Sequence, residues 1–490
     1  MPQKILFVEP SSPGLHIFTK FAIPRLGSLL LATIAQEKGY SCEIVIEDIR
    51  PLSLNALSEF DLVAISTITP TAPRAYALAD ICRERNIPTI IGGPHATFCS
   101  EEALEHSDYV MRGEAEDAFA QFLDVFSSGG DVSVIPNLSC RSNGSIVHNP
   151  LLPCITDLDR LPHPDFRLIK GGMKNILRGT IIPVQTSRGC PYDCTFCSVT
   201  AMFGHKYRFF STDYVIDELL RHNEKPGSFI FFYDDHFTAN RKRTYELLEK
   251  MLANNIRMKW SAQVRADVAR DKELVKLMKR AGCQTLFIGF ESINPESLTN
   301  MNKRQTMQEI NNSIRILQEN KIAIHGMFVF GFDEDTPETC RATIKFARKR
   351  NLDSVQFLLL TPFPGTHVYE RFERENRILF RDWGLYDAHH VTFQPKNFST
   401  FDLQLMQIKG HKKFYSRIRL MRHLLTFKIE QSVINIYAHK LNKVWKKMNK
   451  PYIKLINLIH KSKNFRISAD IQHIITIDDK QPTVKAVWRK

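Results

Sequence analysis

Three cysteines, Cys190, Cys194 and Cys197, stand in the run Thr186-Ser187-Arg188-Gly189-Cys190-Pro191-Tyr192-Asp193-Cys194-Thr195-Phe196-Cys197. Their C-x3-C-x2-C spacing follows a β-like stretch, Thr180 to Gln185, and suits a loop wrapped around a metal centre. A 4Fe-4S cube takes a thiolate on each iron, so three thiolates from one short loop leave one iron open to another ligand. A structural zinc site calls for a fourth Cys or His at comparable spacing, and the nearest, His205, lies eight residues beyond Cys197. Zinc and unliganded thiols therefore stay as the alternatives to an iron-sulfur cluster. Gly189 and Pro191 fit a tight turn, and Phe196 is placed to shield a cluster from water.

A loop of this kind needs a scaffold, and strand-helix alternation supplies one. Between about residues 179 and 380 six strands are expected, near 180 to 186, 228 to 233, 258 to 263, 284 to 290, 323 to 330 and 354 to 360, each followed by a helix. Such units curl into a partial barrel whose site gathers at the C-terminal strand ends. Those ends carry Asp234 and Asp235, then Gln263 and Arg265, then Glu291 within Gly289-Phe290-Glu291-Ser292, then Gly331. Adjacent carboxylates on a strand point to opposite sides, so one of Asp234 and Asp235 is expected to face the site; the alternative is that both cap a helix starting near Asn240. Arg265 offers a fork for a carboxylate, and Glu291 accepts hydrogen bonds, although an Arg265 to Glu291 ion pair across neighbouring strands is the plainer reading.

Residues 1 to about 140 alternate in the same way and predict a five-stranded, doubly wound parallel sheet. Ligands of such sheets bind outside the carboxyl ends of the strands. Ser66, Thr67 and Thr69, then Gly92, Gly93 and His95, then Glu114 lie in the loops at that edge. Residues 141 to 178 read as a connecting region punctuated by turns, and residues 381 to 490 as a mainly helical, basic extension.

The cysteine motif with an aromatic residue before its last thiol resembles the signature of the radical SAM superfamily. Together with the loops Ser66 to Thr69, Gly92-Gly93-Pro94-His95 and Gly113-Glu114, it resembles the cobalamin-binding radical SAM family, whose N-terminal domain is flavodoxin-like. The resemblance implies a 4Fe-4S cluster on Cys190, Cys194 and Cys197 and S-adenosylmethionine bound by Phe196, Asp234, Asp235, Gln263, Arg265, Glu291 and Gly331. It also implies cobalamin at Ser66, Thr67, Thr69, Gly92, Gly93, His95 and Glu114, with no histidine below cobalt because a D-x-H-x-x-G motif is absent, and His95 as a loop contact. The implied activity is reductive cleavage of S-adenosylmethionine and methylation of an unactivated carbon, with ring formation or oxidation as the family's other outcomes. An external one-electron reductant is a required partner.

Composition sets the remaining bounds. The chain has 490 residues, 43% of them apolar, enough for two or three cores. Ten cysteines with only three clustered argue against a disulfide scaffold, and the N-terminus lacks the apolar run of a signal peptide, so a cytoplasmic location is expected. The formal charge of +14 is concentrated at the end, where residues 400 to 490 hold roughly twenty Lys and Arg against about five acids. That extension is the one segment expected to meet nucleic acid or an acidic membrane; the alternative is a tail packed through Leu420, Leu424, Leu425, Ile429 and Val433. A methylthiotransferase would need a second three-cysteine cluster, which Cys42, Cys82 and Cys99 are poorly placed to form. A non-enzymatic iron-sulfur sensor is the reading from another class. The substrate, a small molecule or lipid-like compound, has no motif.

Overall fold

The computed structural model describes residues 3–14, 23–172, 181–223 and 227–461; Thr180, the expected strand start, lies outside them. The chain divides into two compact units, one of residues 1–13, 18–191 and 198–231, the other of residues 14–17, 192–197 and 232–490.

The first unit is built on a sheet of seven strands: β1 (Lys4–Glu9), β2 (Ser41–Ile46), β3 (Leu62–Ser66), β4 (Thr89–Gly92), β5 (Tyr109–Met111), β6 (Leu138–Ser142) and β7 (Ser145–His148), in the order β2-β1-β3-β4-β5-β6-β7. The helices α1 (Leu26–Glu37), α2 (Ala72–Glu84), α3 (Pro94–Phe98), α4 (Ser100–His106) and α5 (Glu116–Ser127) fall between or after the parallel strands. The first five strands are parallel, as their near-continuous apolar runs require of strands covered on both faces. Their order reverses between β1 and β3, which places a ligand crevice at the carboxyl ends of those two strands. Phe7, Leu29, Ile44, Phe119 and Phe122 belong to one buried cluster beneath that sheet. The sheet exceeds the expected five strands because β6 and β7 form an antiparallel hairpin joined by Asn143-Gly144, both at positive φ (51° and 80°). The region from 141 onward thus begins inside a sheet.

The six expected strands of the second half are β8 (Ile181–Val184), β11 (Phe229–Phe232), β12 (Lys259–Val264), β13 (Cys283–Glu291), β14 (Ala323–Phe330) and β15 (Ser354–Leu359); a small ribbon, β9 (Ser187–Arg188) with β10 (Arg208–Phe209), stands apart from them. They form one sheet in the order β15-β14-β13-β12-β11-β8, chain order throughout, and β12 to β15 run parallel. The helices of this half are α6 (Val199–Phe203), α7 (Thr212–Asn223), α8 (Arg241–Ala253), α9 (Lys272–Arg280), α10 (Pro295–Asn300), α11 (Met307–Glu319), α12 (Pro337–Lys349) and α13 (His367–Arg374). This is the partial (βα)6 barrel arrangement. Its helices begin where side chains cap them: Asn240 accepts from Arg243 N–H at α8, and Thr306 with Glu309 closes a capping box at α11. Asp234 and Asp235 are therefore not the caps of α8.

The extension folds as α14 (Thr400–Phe414), α15 (Arg417–Leu425), α16 (Ile429–Met448) and α17 (Lys450–Lys461). Packing of the extension differs from the expected face. In α16, Ser432, Asn435, Ala438, Leu441 and Trp445, three or four residues apart, are buried and Ile429 and Val433 exposed, and Leu424 and Leu425 at the end of α15 are exposed as well. Small and amide side chains let α16 approach its neighbours closely, and helical geometry then turns the larger aliphatic groups outward.

Candidate functional site

The cysteine loop starts from an electrostatic anchor in the first unit. Arg188 Nη2 lies 2.6 Å from Glu116 Oε1, Arg208 Nη2 lies 2.5 Å from Glu114 Oε1, and all four side chains are buried. Glu114 Oε2 also accepts Arg208 Nη1 and the Ile155 N–H at 2.8 and 3.0 Å. Buried charges persist only when paired and hydrogen-bonded, so this carboxylate is committed to the protein. One residue on, Gly189 has φ +83°, and a Cβ there would stand 2.9 Å from the Lys206 carbonyl. Glycine alone makes this turn into Cys190, which is half-buried.

The rest of the loop, Tyr192 to Cys197, is braced within the second unit. Asn302 Nδ2 donates to the Asp193 carbonyl at 2.9 Å, Thr195 N–H donates to the Met301 carbonyl at 3.2 Å, and Val368 N–H donates to the Thr195 carbonyl at 3.1 Å. Cys194 is buried, and its backbone carbonyl accepts the Cys197 N–H at 3.0 Å. Phe196 meets Phe332 edge to face at 5.7 Å, an apolar wall beside the thiols. Arg265, reached from the end of β12, holds this loop from below. Its guanidinium lies 3.7 Å from the Tyr192 ring centroid, Nη1 is 4.0 Å from Cys194 Sγ, and Nη2 donates to the Lys303 carbonyl. The loop is thus held at both its backbone and its Cys194 sulfur, and three thiols in one braced loop suit ligation of a cluster.

At the neighbouring strand ends the expected side chains occupy distinct environments. In the loop after β11, Asp234 is fully buried and the next residue, Asp235, is exposed. Although Asp235 meets solvent, desolvation by neighbouring protein atoms, then the Asp234 charge, push its carboxyl up to about 7. His236 is buried and held down at about 4 by desolvation. Gln263 is half-buried, and its backbone carbonyl accepts the Phe237 N–H at 3.0 Å. Glu291 pairs with Lys303 at 2.7 Å, and both are buried. The cation facing Glu291 is therefore Lys303, not Arg265, which is engaged with the cysteine loop.

The reach of Glu291 comes from an irregular strand. In β13, Gly289 pairs with Met327 and Glu291 with Phe328, so Phe290 is an extra residue, and Glu291 has φ +60°. The carbonyl of Phe290 is satisfied by Gln305 Nε2 at 2.7 Å and Ser292 N–H at 2.8 Å. A Cβ on Gly289 would collide with Glu291 Oε1, so glycine makes room for the carboxylate. Gly331, at φ +112°, gives its N–H to Asp335 Oδ2 at 2.9 Å; a Cβ there would come 3.0 Å from Leu403 and 3.1 Å from Phe393. Asp335 also accepts from Phe332 N–H and Ser297, and burial raises it to about 6.

The N-terminal edge divides the expected residues into two groups. Ser66, Gly92 and Gly93 are partly accessible, and Ile68 is exposed between them. Gly93 has φ +99°, and a Cβ would stand 2.5 Å from the Thr67 carbonyl, so the two loops are pressed together. Thr67 and Thr69 are buried; the Thr67 hydroxyl lies 3.1 Å from that of Thr71. His95 is buried, with Nε2 3.0 Å from the Tyr76 hydroxyl, and desolvation holds it neutral, down to about 3. At the same edge Glu9 accepts the Arg25 N–H at 2.9 Å, while Arg25 Nη1 donates to the Ser66 carbonyl at 2.5 Å. A shallow edge of glycines, one serine and an exposed isoleucine suits a large, flat, partly apolar group such as a corrin.

Sequence reasoning did not single out Asn302 and Lys303. They sit in the turn after α10, more than a hundred residues from the cysteines, where no periodicity marks them. The only local signal is a basic run, Lys303-Arg304, immediately before the capping box of α11.

Residues 184–347 match the radical SAM superfamily, and residues 19–123 match the B12 binding domain. An uncharacterised methyltransferase of Pyrococcus horikoshii is 30% identical over 85% of this chain and 93% of its own. The bacteriochlorophyllide d C-12(1)-methyltransferase of Chlorobaculum tepidum is 30% identical over 86% and 89%. The hopanoid C-3 methylase of Methylococcus capsulatus is 28% identical over 80% and 76%. Among solved structures, the radical S-adenosylmethionine methyltransferase TsrM of Kitasatospora setae shares the fold with TM-score 0.65 at 19% identity, covering 76% of each chain. With both domains matched in sequence order, and a relative matched over nearly its whole length, the chain belongs to the cobalamin-binding radical SAM family, whose cofactors are a 4Fe-4S cluster, S-adenosylmethionine and cobalamin.

Proposed function

We propose that this enzyme methylates an unactivated carbon of a small-molecule or lipid-like substrate. The observation that carries the reading is the braced cysteine loop beside the strand-end carboxylates, in a chain whose other sheet offers a corrin-sized edge at its switch point. Relatives named for methylation of tetrapyrrole and hopanoid carbons support the reaction class. When bound, the cluster with S-adenosylmethionine supplies hydrogen-atom abstraction, and cobalamin supplies the methyl group.

The chain's own residues hold and orient. Cys190, Cys194 and Cys197 are the cluster ligands, and Phe196 with Phe332 keeps water from them. Asp235, the accessible carboxylate of its pair, receives the ammonium of S-adenosylmethionine, and Glu291 accepts from the ribose while Lys303 fixes its position. Gln263 and the Gly331 backbone complete that cofactor's surroundings, and Arg265 positions the cysteine loop. Ser66, Gly92 and Gly93 contact the corrin; Thr67, Thr69, His95 and Glu114 support those loops from beneath. In this reading residues 1–140 form the cobalamin domain, 141–178 the connection, 179–380 the radical domain and 381–490 the extension, and an external one-electron donor supplies the reductant. A ring-forming outcome is the second reading, favoured by the anaerobic magnesium-protoporphyrin IX monomethyl ester cyclase of Cereibacter sphaeroides, 28% identical over 74% of this chain.

Anaerobic reconstitution with iron, sulfide and hydroxocobalamin, then reduction with S-adenosylmethionine, tests the proposal. The expected result is 5′-deoxyadenosine formation that disappears in Cys190→Ala, with cobalamin retained near one per chain. Cleavage without retained cobalamin would refute the methyl-transfer reading while leaving the radical step.

A further inference from the structure

The turn between α15 and α16 presents apolar side chains to solvent on a scale unusual for a folded surface. Phe427 is 87% exposed, Ile418 and Leu425 78%, and Ile429 72%; Leu424 and Val433 join them. The hairpin is nevertheless ordered from within. Lys428 N–H donates to the His423 carbonyl at 2.9 Å, the Arg419 guanidinium lies 4.2 Å from the Phe414 ring, and Arg419 donates to the Leu352 carbonyl. Contiguous exposed apolar groups of this size mark an interaction surface.

Beside them opens a cleft of about 470 Å3 lined by Lys345, Arg348, Lys349, Arg422 and Lys428, with Asp353 its one acidic side chain. That carboxylate is already engaged, accepting the Ile324 N–H at 2.9 Å and the Gln431 amide at 3.3 Å. None of the five basic groups pairs with a carboxylate among the described residues. The surface is thus an apolar wedge flanked by a basic pocket.

We propose that this hairpin is a membrane-docking device, with Leu425 and Phe427 entering the interfacial layer of an anionic bilayer and the basic cleft taking a lipid phosphate. An apolar wedge and flanking cations are the two signals that together anchor a protein on a bilayer surface. A second copy of the chain would bring like charges face to face, and single-stranded nucleic acid would call for a row of aromatic platforms where this patch has one phenylalanine. Among the described residues no helix is long and apolar enough to cross a membrane. The inference goes beyond the catalytic reading and does not depend on it.

Flotation of the full-length protein with vesicles tests it, using phosphatidylcholine alone or mixed with about one third phosphatidylglycerol. Retention by the mixed vesicles alone is expected, falling at least about tenfold in L425S/F427S and in K349Q/R422Q/K428Q. Both tip residues are exposed, so an unchanged thermal melt separates lost docking from lost folding. Failure to float with the mixed vesicles, or flotation untouched by L425S/F427S, would overturn the proposal. So would a dimer in sedimentation that L425S/F427S abolishes, or displacement from vesicles by a single-stranded RNA of about twenty nucleotides that L425S/F427S binds as well as the parent.

Discussion

Replacement of Arg265 by methionine keeps most of the side chain's length and removes its charge and its donors. Two contacts set the cost. The guanidinium over the Tyr192 ring at 3.7 Å, in a buried setting, contributes about 1–2 kcal/mol. The charged hydrogen bond to the Lys303 carbonyl contributes about 1.5–3 kcal/mol. The two together, less the part that overlaps, predict a loss of about 2–4 kcal/mol in urea denaturation. Lysine at this position keeps the charge but cannot serve ring and carbonyl together, and a loss of about 2 kcal/mol is expected. Tyr192→Phe retains the ring and gives up a 3.4 Å contact to Asp267, so it should cost under about 0.5 kcal/mol. The cycle joining Tyr192→Leu with Arg265→Met should show a coupling of about 1–2 kcal/mol. The same loosening should reach the metal, with iron leaving the reconstituted protein at least about tenfold faster under chelator challenge, the equivalent of about 1.4 kcal/mol. Additive single substitutions together with parental iron loss in Arg265→Met would refute the idea that this residue braces the cysteine loop.

Gly289→Ala should displace the Glu291 carboxylate and destabilise the fold by about 1–3 kcal/mol, read by thermal denaturation; an unchanged melt would show that the bulge has more room than its geometry implies. Arg208→Met removes the nearest cation of buried Glu114, leaving Arg188 Nη1 at 3.7 Å, and should cost about 2–4 kcal/mol, much of it recovered on adding Glu114→Gln, as measured by urea denaturation of both variants. Because the Asp235 carboxyl is raised to about 7, it is neutral in acid and charged only above that value, so affinity for S-adenosylmethionine should rise between about pH 6 and 8 and lose this rise in Asp235→Asn. The same shift means the folded protein holds a proton that the unfolded chain releases near pH 4. Relative to Asp235→Asn, the parent should therefore lose stability as pH climbs from about 4 to about 7, a trend that equilibrium unfolding across that range will detect.

The parts of this architecture legible in the sequence are those fixed by neighbours in the chain. C-x3-C-x2-C is local, and so is the alternation that placed all six strands from Ile181 to Leu359 in spatial order. Asp234 and Asp235 face apart as expected, though they lie in the loop beyond the end of β11 at Phe232. What escaped was set at long range or by facing. Lys303 meets Glu291 through a bulge that no spacing reveals, so the alternative of an Arg265 to Glu291 ion pair gives way to one with Lys303. Loop positions such as Thr67 and His95 carry polar side chains whose inward direction depends on tertiary packing. The β6–β7 hairpin is legible in principle, since Asn143-Gly144 is a strong two-residue turn signal, but its strands are short and lie against a turn-rich stretch that resembles a linker. In α16 the apolar residues suggested the buried face, and close packing through Ala438 and Asn435 reversed it.

The odd residue in β13 has an evolutionary consequence. Side chains on a regular strand are presented by parity, so substitution changes what is offered at a position but not which positions face the ligand. By holding one unmatched residue, Phe290, between Gly289 and Glu291, this strand makes parity itself adjustable. Loss of a single codon there would restore an unbroken ladder in which Glu291 still stands opposite Phe328 but loses the bulge that gives it its positive φ and its approach to Lys303. The site's chemistry is thereby open to revision by insertion and deletion at one point, while the hydrogen-bonded ladder from Thr285 to Gly289 stays as it is.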